Sequence, residues 1–398
     1  VIVGGGMAGA TLAKYLRLWG GTGVKVTLIE KEPKYTSNIM SNKVLTGQMN
    51  LADLKYVYDT LTKHYGVQLV MDEVTEIDTS TKTVTLKGGS THQGDRLVLA
   101  PGLEFDTMPG MSSLGEYETD IPHAWKAGPQ TQLLRDQLVG MANGDDVVIT
   151  IPKAPYRCPP GPYERACVVA DWLADNKPNS QVIVLDANDD ILVESENFHH
   201  AFDGAYGYTV DYIPKCTIVK VDSATRSVSY TVGSYTTVYE ISAGVLNPIP
   251  PQRAPKLLAD AGLYDYDSQR SVLVDVRSYE SIAVPGIHVI GDASSTTQPK
   301  AGHIGNQQAK TCADAILRAL QGKDPDPAPV TNSACYTPIT ADRATWLSAV
   351  YQYDATSGTM KIPVQHNNRT AISAAQATTE NYEDMQVWFK TLMADSFA

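Results

Sequence analysis

The sequence predicts an α/β protein: two domains of the βαβ type, then a separate C-terminal segment. Three observations carry this. A glycine-rich turn joins the first apolar strand to a helix, and the next strand ends in an acid. A second strand–helix–strand unit begins near Asp146. A run rich in Gly, Asp and Pro at 321–329 then sets off the last stretch of about 70 residues.

The elements follow in order. Val1-Ile2-Val3 is a short apolar strand that leads into Gly4-Gly5-Gly6-Met7-Ala8-Gly9. Apolar residues at Ala13, Leu16 and Trp19 keep a spacing near 3.6 and predict a helix. The strand 25–30 completes a βαβ unit. Gly4, Gly6 and Gly9 fit the GxGxxG pattern. The first glycine allows a tight turn, the second lets a pyrophosphate approach the backbone, and the third lets helix and strand pack closely. Glu30 ends the second strand, where a carboxylate accepts ribose hydroxyls, and Lys31 stands beside it. Short alternating strands follow over 73–87. A buried strand over 96–100 ends in Ala100-Pro101-Gly102. In the second unit, strands at 147–151 and 182–186 flank a helix over 163–175. Strand-like alternation over 217–237 precedes the apolar strand 287–290, which ends in Gly291-Asp292, and a helix over 307–320. Ala100-Pro101-Gly102 resembles the ATG-type turn of flavoproteins with two dinucleotide domains. Gly291-Asp292 resembles their second FAD fingerprint, whose Asp meets the ribityl chain. These elements select FAD for the first site. The expected division is a discontinuous FAD-binding domain over 1–112 and 240–322, a second Rossmann-like domain over 113–239, and a C-terminal interface domain over 323–398.

The chain has 398 residues and a formal net charge of −12. It has no cluster of Lys and Arg to track phosphates, so nucleic acid is excluded as the expected partner. No apolar run approaches the roughly 20 residues of a membrane span. The chain opens at Val1 already inside a strand, the pattern of a processed N-terminus, which leaves room for a removed signal. No metal site is expected: there is no HExxH, and the adjacent pair His199-His200 faces apart on a helix or strand. None of the five cysteines forms a CxxC pair.

The second unit departs from a dinucleotide site. Its first strand leads into Pro152-Lys153-Ala154-Pro155-Tyr156-Arg157-Cys158-Pro159-Pro160-Gly161-Pro162. Proline has no N–H to offer a phosphate, so no NAD cradle is expected here. Cys158 lies between Arg157 and a helix start, and both favour a thiolate. On chemistry alone two readings stand: a reactive cysteine with Glu164 as its base, or a buried structural thiol with a helix-favouring Glu.

The run 157–166, Arg-Cys-Pro-Pro-Gly-Pro-Tyr-Glu-Arg-Ala, resembles the flavoprotein subunit of flavocytochrome c sulfide dehydrogenase. So do the blocks at 122–128, 248–254 and 285–293, and Cys335-Tyr336. They span nearly the whole chain in the family's order. The wider superfamily holds sulfide:quinone oxidoreductases and disulfide reductases, with a glutathione-reductase-like fold. The resemblance implies a redox-active cystine of Cys158 and Cys335 beside the flavin, with Glu164 as acid/base. It also implies that Lys300 lies near the flavin ring, that Trp388 matches a Trp near the C-terminus, and that Met40 lies in the segment carrying the flavin attachment. Cys167, Cys216 and Cys312 match no functional cysteine and read as core thiols. The family attaches FAD through a cysteine where this chain has Asn38, so a non-covalent flavin is expected here.

The implied function is oxidation of sulfide to sulfane sulfur or polysulfide. Electrons would pass through FAD to a c-type cytochrome subunit that carries the haem, because this chain has no CxxCH. A periplasmic location follows from the resemblance and from a disulfide that must persist. The alternatives are a sulfide:quinone oxidoreductase-type enzyme, a flavin-carrying electron-transfer subunit without sulfide chemistry, and an NADH-linked disulfide reductase, which the proline-rich loop disfavours.

Overall fold

The computed structural model describes residues 1–363 and 371–398. Its largest sheet has eight strands. Five of them, Ile287–Val289, Leu97–Leu99, Ile2–Val3, Thr27–Glu30 and Gln68–Met71, run parallel as neighbours. They are almost continuously apolar because helices cover the sheet. The helix Met7–Gly20 buries Ala8, Leu12, Ala13 and Leu16. It packs on the helix Gly302–Leu320, which starts five residues earlier than its apolar spacing predicts. The cause is a pair of glycines that read as turn residues. A Cβ on Gly305 would stand 3.3 Å from Ala8 Cβ, so this glycine serves close helix packing.

The second domain has a four-stranded parallel sheet in the order Val210–Ile213, Val182–Asp186, Val147–Ile151, Val245–Pro248. A three-stranded antiparallel sheet, Cys216–Asp222, Ser227–Val232 and Tyr239–Ser242, packs beside it. This corrects the boundary expected at 239. Strand Val245–Pro248 pairs in register with Val147–Ile151, so the second domain runs on through Pro248.

The C-terminal segment is a long hairpin of Val330–Pro338 against Ala344–Asp354, followed by the helix Thr379–Phe397. Thr378 caps that helix by accepting from Asn381 N at 3.1 Å. Met385, Phe389, Met393 and Phe397 recur every four residues on one face and join the core of the first domain. Lys14 Nζ closes the helix end, donating to the carbonyls of Ala394 (3.2 Å) and Ala398 (2.5 Å). None of the helices among the described residues is long and apolar enough to cross a membrane.

Candidate active site

The glycines of the first loop divide their work as the pattern predicts. A Cβ on Gly4, whose φ is +97°, would meet the carbonyl oxygen of Ala100 at 2.3 Å. One on Gly9 would meet that of Gly4 at 1.8 Å. These two exist for packing. A Cβ on Gly6 would find only Tyr35 Cε2, at 3.8 Å, so the backbone there borders open space, the room a diphosphate needs. The loop therefore fits the dinucleotide it was read to bind. Glu30 braces it: Oε2 accepts from Gly5 N at 2.5 Å, and Oε1 accepts from the amides of Lys31 (2.8 Å) and Glu32 (2.9 Å). Lys31 itself does not reach the cleft. Its ammonium turns to solvent and pairs with Glu73 at 2.9 Å, because its residue lies beyond the strand end.

Three other segments border the same cleft. Ala100 N donates to Val3 O at 2.8 Å, which places the turn Ala100-Pro101-Gly102 beside the glycine loop; Gly102 takes φ +77°. Gly291, at φ +72°, donates its amide to Gln308 Oε1 at 2.7 Å and sets Asp292 at the cleft. Lys300 Nζ donates to the carbonyls of Asp292 (2.6 Å) and Ser294 (2.8 Å), and burial holds its pKa below the usual lysine range. Met40 is buried with φ +68°. Asn38 Oδ1 accepts from Ala127 N at 2.7 Å, tying this segment to the second domain.

The proline-rich loop reaches the cleft through Cys158. Its amide donates to Lys300 O at 2.7 Å, and its backbone takes φ +58°, a strained value for a residue with a side chain. A Cβ on Gly161 would come within 3.0 Å of Cys158 Sγ and 2.9 Å of the Trp125 ring, so glycine is required there. Cys335 sits on the strand Val330–Pro338, opposite Leu347, and is partly exposed. Both cysteines are free thiols here; the disulfide implied by the resemblance is not formed. Burial chiefly, then Glu164, pushes the Cys158 thiol up to about 12, against the opposing pull of Arg157. Burial, Cys158, Glu194 and Glu164 hold Cys335 well above its ordinary value. Desolvation thus opposes the thiolate that Arg157 and the helix start favour.

Glu164, in the helix Gly161–Asn176, is pushed up to about 7 by burial, opposed first by a hydrogen bond from Asn42 Nδ2 at 2.8 Å. Trp388 lies one side chain away from the Cys335 strand, its ring centroid 5.6 Å from Tyr336 and 6.2 Å from His303.

The model for the central region of the sulfide dehydrogenase [flavocytochrome c] flavoprotein chain matches residues 131–250. The flavin-binding region of flavocytochrome c sulphide dehydrogenase matches 327–397. The chain matches this family in both its central and its flavin-binding regions. Residues 1–146 match the broader pyridine nucleotide-disulphide oxidoreductase model. Among solved structures, the sulfide:quinone oxidoreductase of Aquifex aeolicus is 17% identical with a TM-score of 0.80, over 99% of this chain and 90% of that one. An NAD-dependent persulfide reductase from A. fulgidus is 16% identical with a TM-score of 0.63, over 99% and 76%. At these identities the likeness is one of fold. The ferredoxin–NAD(+) reductase subunit of a benzene 1,2-dioxygenase system from Pseudomonas putida is 32% identical over 125 residues, 29% of this chain and 30% of the reductase's length.

The site also gathers residues to which no motif assigns a role. Arg165 is fully enclosed: it donates to Asn42 Oδ1 (2.9 Å), His123 O (2.8 Å), Asn247 Oδ1 (2.8 Å) and Ala124 O (2.9 Å). It therefore orients Asn42, which in turn holds Glu164. Glu194 is buried at φ +51° and accepts from Thr337 (2.9 Å) and Thr345 (2.7 Å), a cross-strand pair next to Cys335 and Leu347. The run 157–166 contains Arg165, so a signal existed for it; Glu194 has none. The end of strand Val182–Asp186 is also filled from within. Asp186 accepts from Tyr163 (2.7 Å), Tyr212 (2.9 Å) and Asn188 (2.7 Å). Asn188 ties down the proline-rich loop at Pro152 (3.1 Å) and Ala154 (3.0 Å).

Proposed function

We propose that this chain oxidises sulfide to sulfane sulfur with FAD, using Cys158 and Cys335 as a redox pair, and passes electrons to a c-type cytochrome subunit in the bacterial periplasm. The observation that carries the reading is that the strand of Cys335, Val330–Pro338, packs against the helix Gly161–Asn176, which follows Cys158 and carries the buried Glu164. The two matches to this family's models support the substrate class.

The steps assigned to these residues balance as follows. HS⁻ attacks one sulfur of the cystine; the S–S bond breaks, a persulfide bond forms, and the other sulfur leaves as a thiolate. Arg157 favours a thiolate at Cys158, against burial and Glu164, while the charged side chains acting on Cys335 are carboxylates; the leaving thiolate is assigned to Cys158 on that one cation. Glu164, poised near neutrality, takes the persulfide proton. A second sulfide would take the outer sulfur as polysulfide and leave the thiol, and bound FAD would supply the two-electron acceptor with which the two cysteines re-form their S–S bond.

The remaining assignments rest on the same frame. Asn38 cannot form a thioether, which supports a non-covalent flavin. Neither the proline-rich loop nor the satisfied carboxylate of Asp186 offers groups to NAD, which supports a route without it. A quinone-type reading would need the C-terminal helix to offer an apolar face outward, and its Met385–Phe397 face is spent in the core. Cys335→Ser provides the test. The variant should keep its flavin and fold, and sulfide should no longer bleach the flavin in stopped flow. Bleaching at the wild-type rate would make the cysteines structural.

A further inference from the structure

The cleft contains a cation whose set of partners is incomplete. Arg157 precedes Cys158, and its main chain is fixed on both sides: its N–H donates to Gln252 Oε1 at 3.0 Å, and its carbonyl accepts from Trp125 Nε1 at 3.1 Å. The side chain is 11% exposed. Nη1 stands 3.6 Å from Asp292 Oδ2, the range of a loose ion pair rather than a hydrogen bond. Among the described residues, Nη2 is buried and meets no acceptor. A buried guanidinium is normally paired and hydrogen-bonded throughout, and a buried orphan donor calls for a partner. The planar fork suits an anion with several oxygens, phosphate above all.

The surroundings say which anion. The Tyr35 ring is the one group within 4 Å of where a Cβ on Gly6 would sit, and Gly6 borders the room for a diphosphate. A Cβ on Gly291 would stand 3.2 Å from Ala8 Cβ, two residues beyond Gly6, so the Asp292 turn and the Arg157 paired with it lie against the same loop. The guanidinium, the fingerprint carboxylate and the Gly6 gap therefore border one space. We propose that Arg157 anchors the diphosphate of the dinucleotide, donating Nη2 to a phosphate oxygen. The loop that took the place of a second dinucleotide cradle then serves the first one. Because Arg157 and Cys158 are adjacent, the same contact couples cofactor binding to the placement of the reactive sulfur.

The inference rests on the FAD reading but not on sulfide chemistry, and phosphorus NMR of the holoenzyme tests it. In Arg157→Gln the bound diphosphate resonances should shift, and FAD should be lost about tenfold faster on dialysis, the loss of one charge-assisted hydrogen bond. Arg157→Lys keeps the charge without the fork. It should show a smaller shift in the same direction, and it serves as the test if the Gln variant does not fold. The phosphorus readout holds whether or not the flavin can be released. Unmoved resonances with normal retention would overturn the proposal. So would unmoved resonances with a displaced flavin absorption band, which would place Arg157 on the ring. A wild-type protein with no flavin band at all would instead refute the FAD reading.

Discussion

Gly6 and Gly9 lie three residues apart in one loop, yet a side chain harms them in different ways. At Gly9 a Cβ collides with the Gly4 carbonyl at 1.8 Å, so Gly9→Ala should disturb the fold itself. At Gly6 the nearest atom is 3.8 Å away, so Gly6→Val should give a folded protein that lacks flavin. Circular dichroism and the visible flavin band together separate the two outcomes; a full flavin band in Gly6→Val would remove the loop from the cofactor site. Glu164 is a second case in which surroundings decide. Its folded pKa of about 7 lies above its ordinary 4.5, because burial favours the neutral acid. Between those values the unfolded chain has lost a proton that the folded one keeps. The contribution to stability is therefore full below 4.5 and is lost as pH rises through 7, on the order of 3 kcal/mol in all. Its capacity as a base runs the other way and appears above 7. Glu164→Gln should slow sulfide-dependent flavin reduction and remove its ionisation limb near 7, while dithionite reduction stays unchanged. Sulfide itself ionises in this range, so the decisive comparison is between variant and wild type.

At the scale of elements, the C-terminal helix is the one whose role reaches furthest. Phe397 stacks on Tyr35 (centroids 5.1 Å, planes 13° apart) and on Tyr56 (5.6 Å, 26°). Tyr35 in turn borders the Gly6 gap. The last turn of the chain thus supports the wall of the cofactor cleft. Phe397→Ala should lower stability by about 3 kcal/mol and weaken flavin retention, read from denaturant midpoints and dialysis. Unchanged retention with lowered stability would confine the helix to a packing role. The four-residue apolar repeat of this helix stands in the sequence, but the core it joins does not. Likewise the helix Gly302–Leu320 was legible only from 307, because Gly302 and Gly305 look like turn residues until Ala8 is seen against them.

For the molecule as a whole, two domains of one architecture have been put to different uses. The first keeps open space beside its second glycine. The second closes the corresponding strand end with prolines, Tyr163, Tyr212 and Asn188. Mixing with NADH should leave the flavin oxidised on the stopped-flow time scale; rapid bleaching would show a nicotinamide route that this packing does not explain. The sequence by itself determined the glycine cradle, the acid at Glu30, the Gly291-Asp292 turn and the loss of glycines from the second loop. These are local matters: each depends on the backbone freedom or the missing N–H of residues a few positions apart. Only the tertiary structure decided that burial raises the pKa of Cys158, that burial raises that of Glu164 to about 7, that Arg165 and Glu194 are enclosed, and that Val245–Pro248 belongs to the second sheet. Desolvation, charge coupling and strand pairing depend on groups brought together from distant parts of the chain, and no local pattern records them.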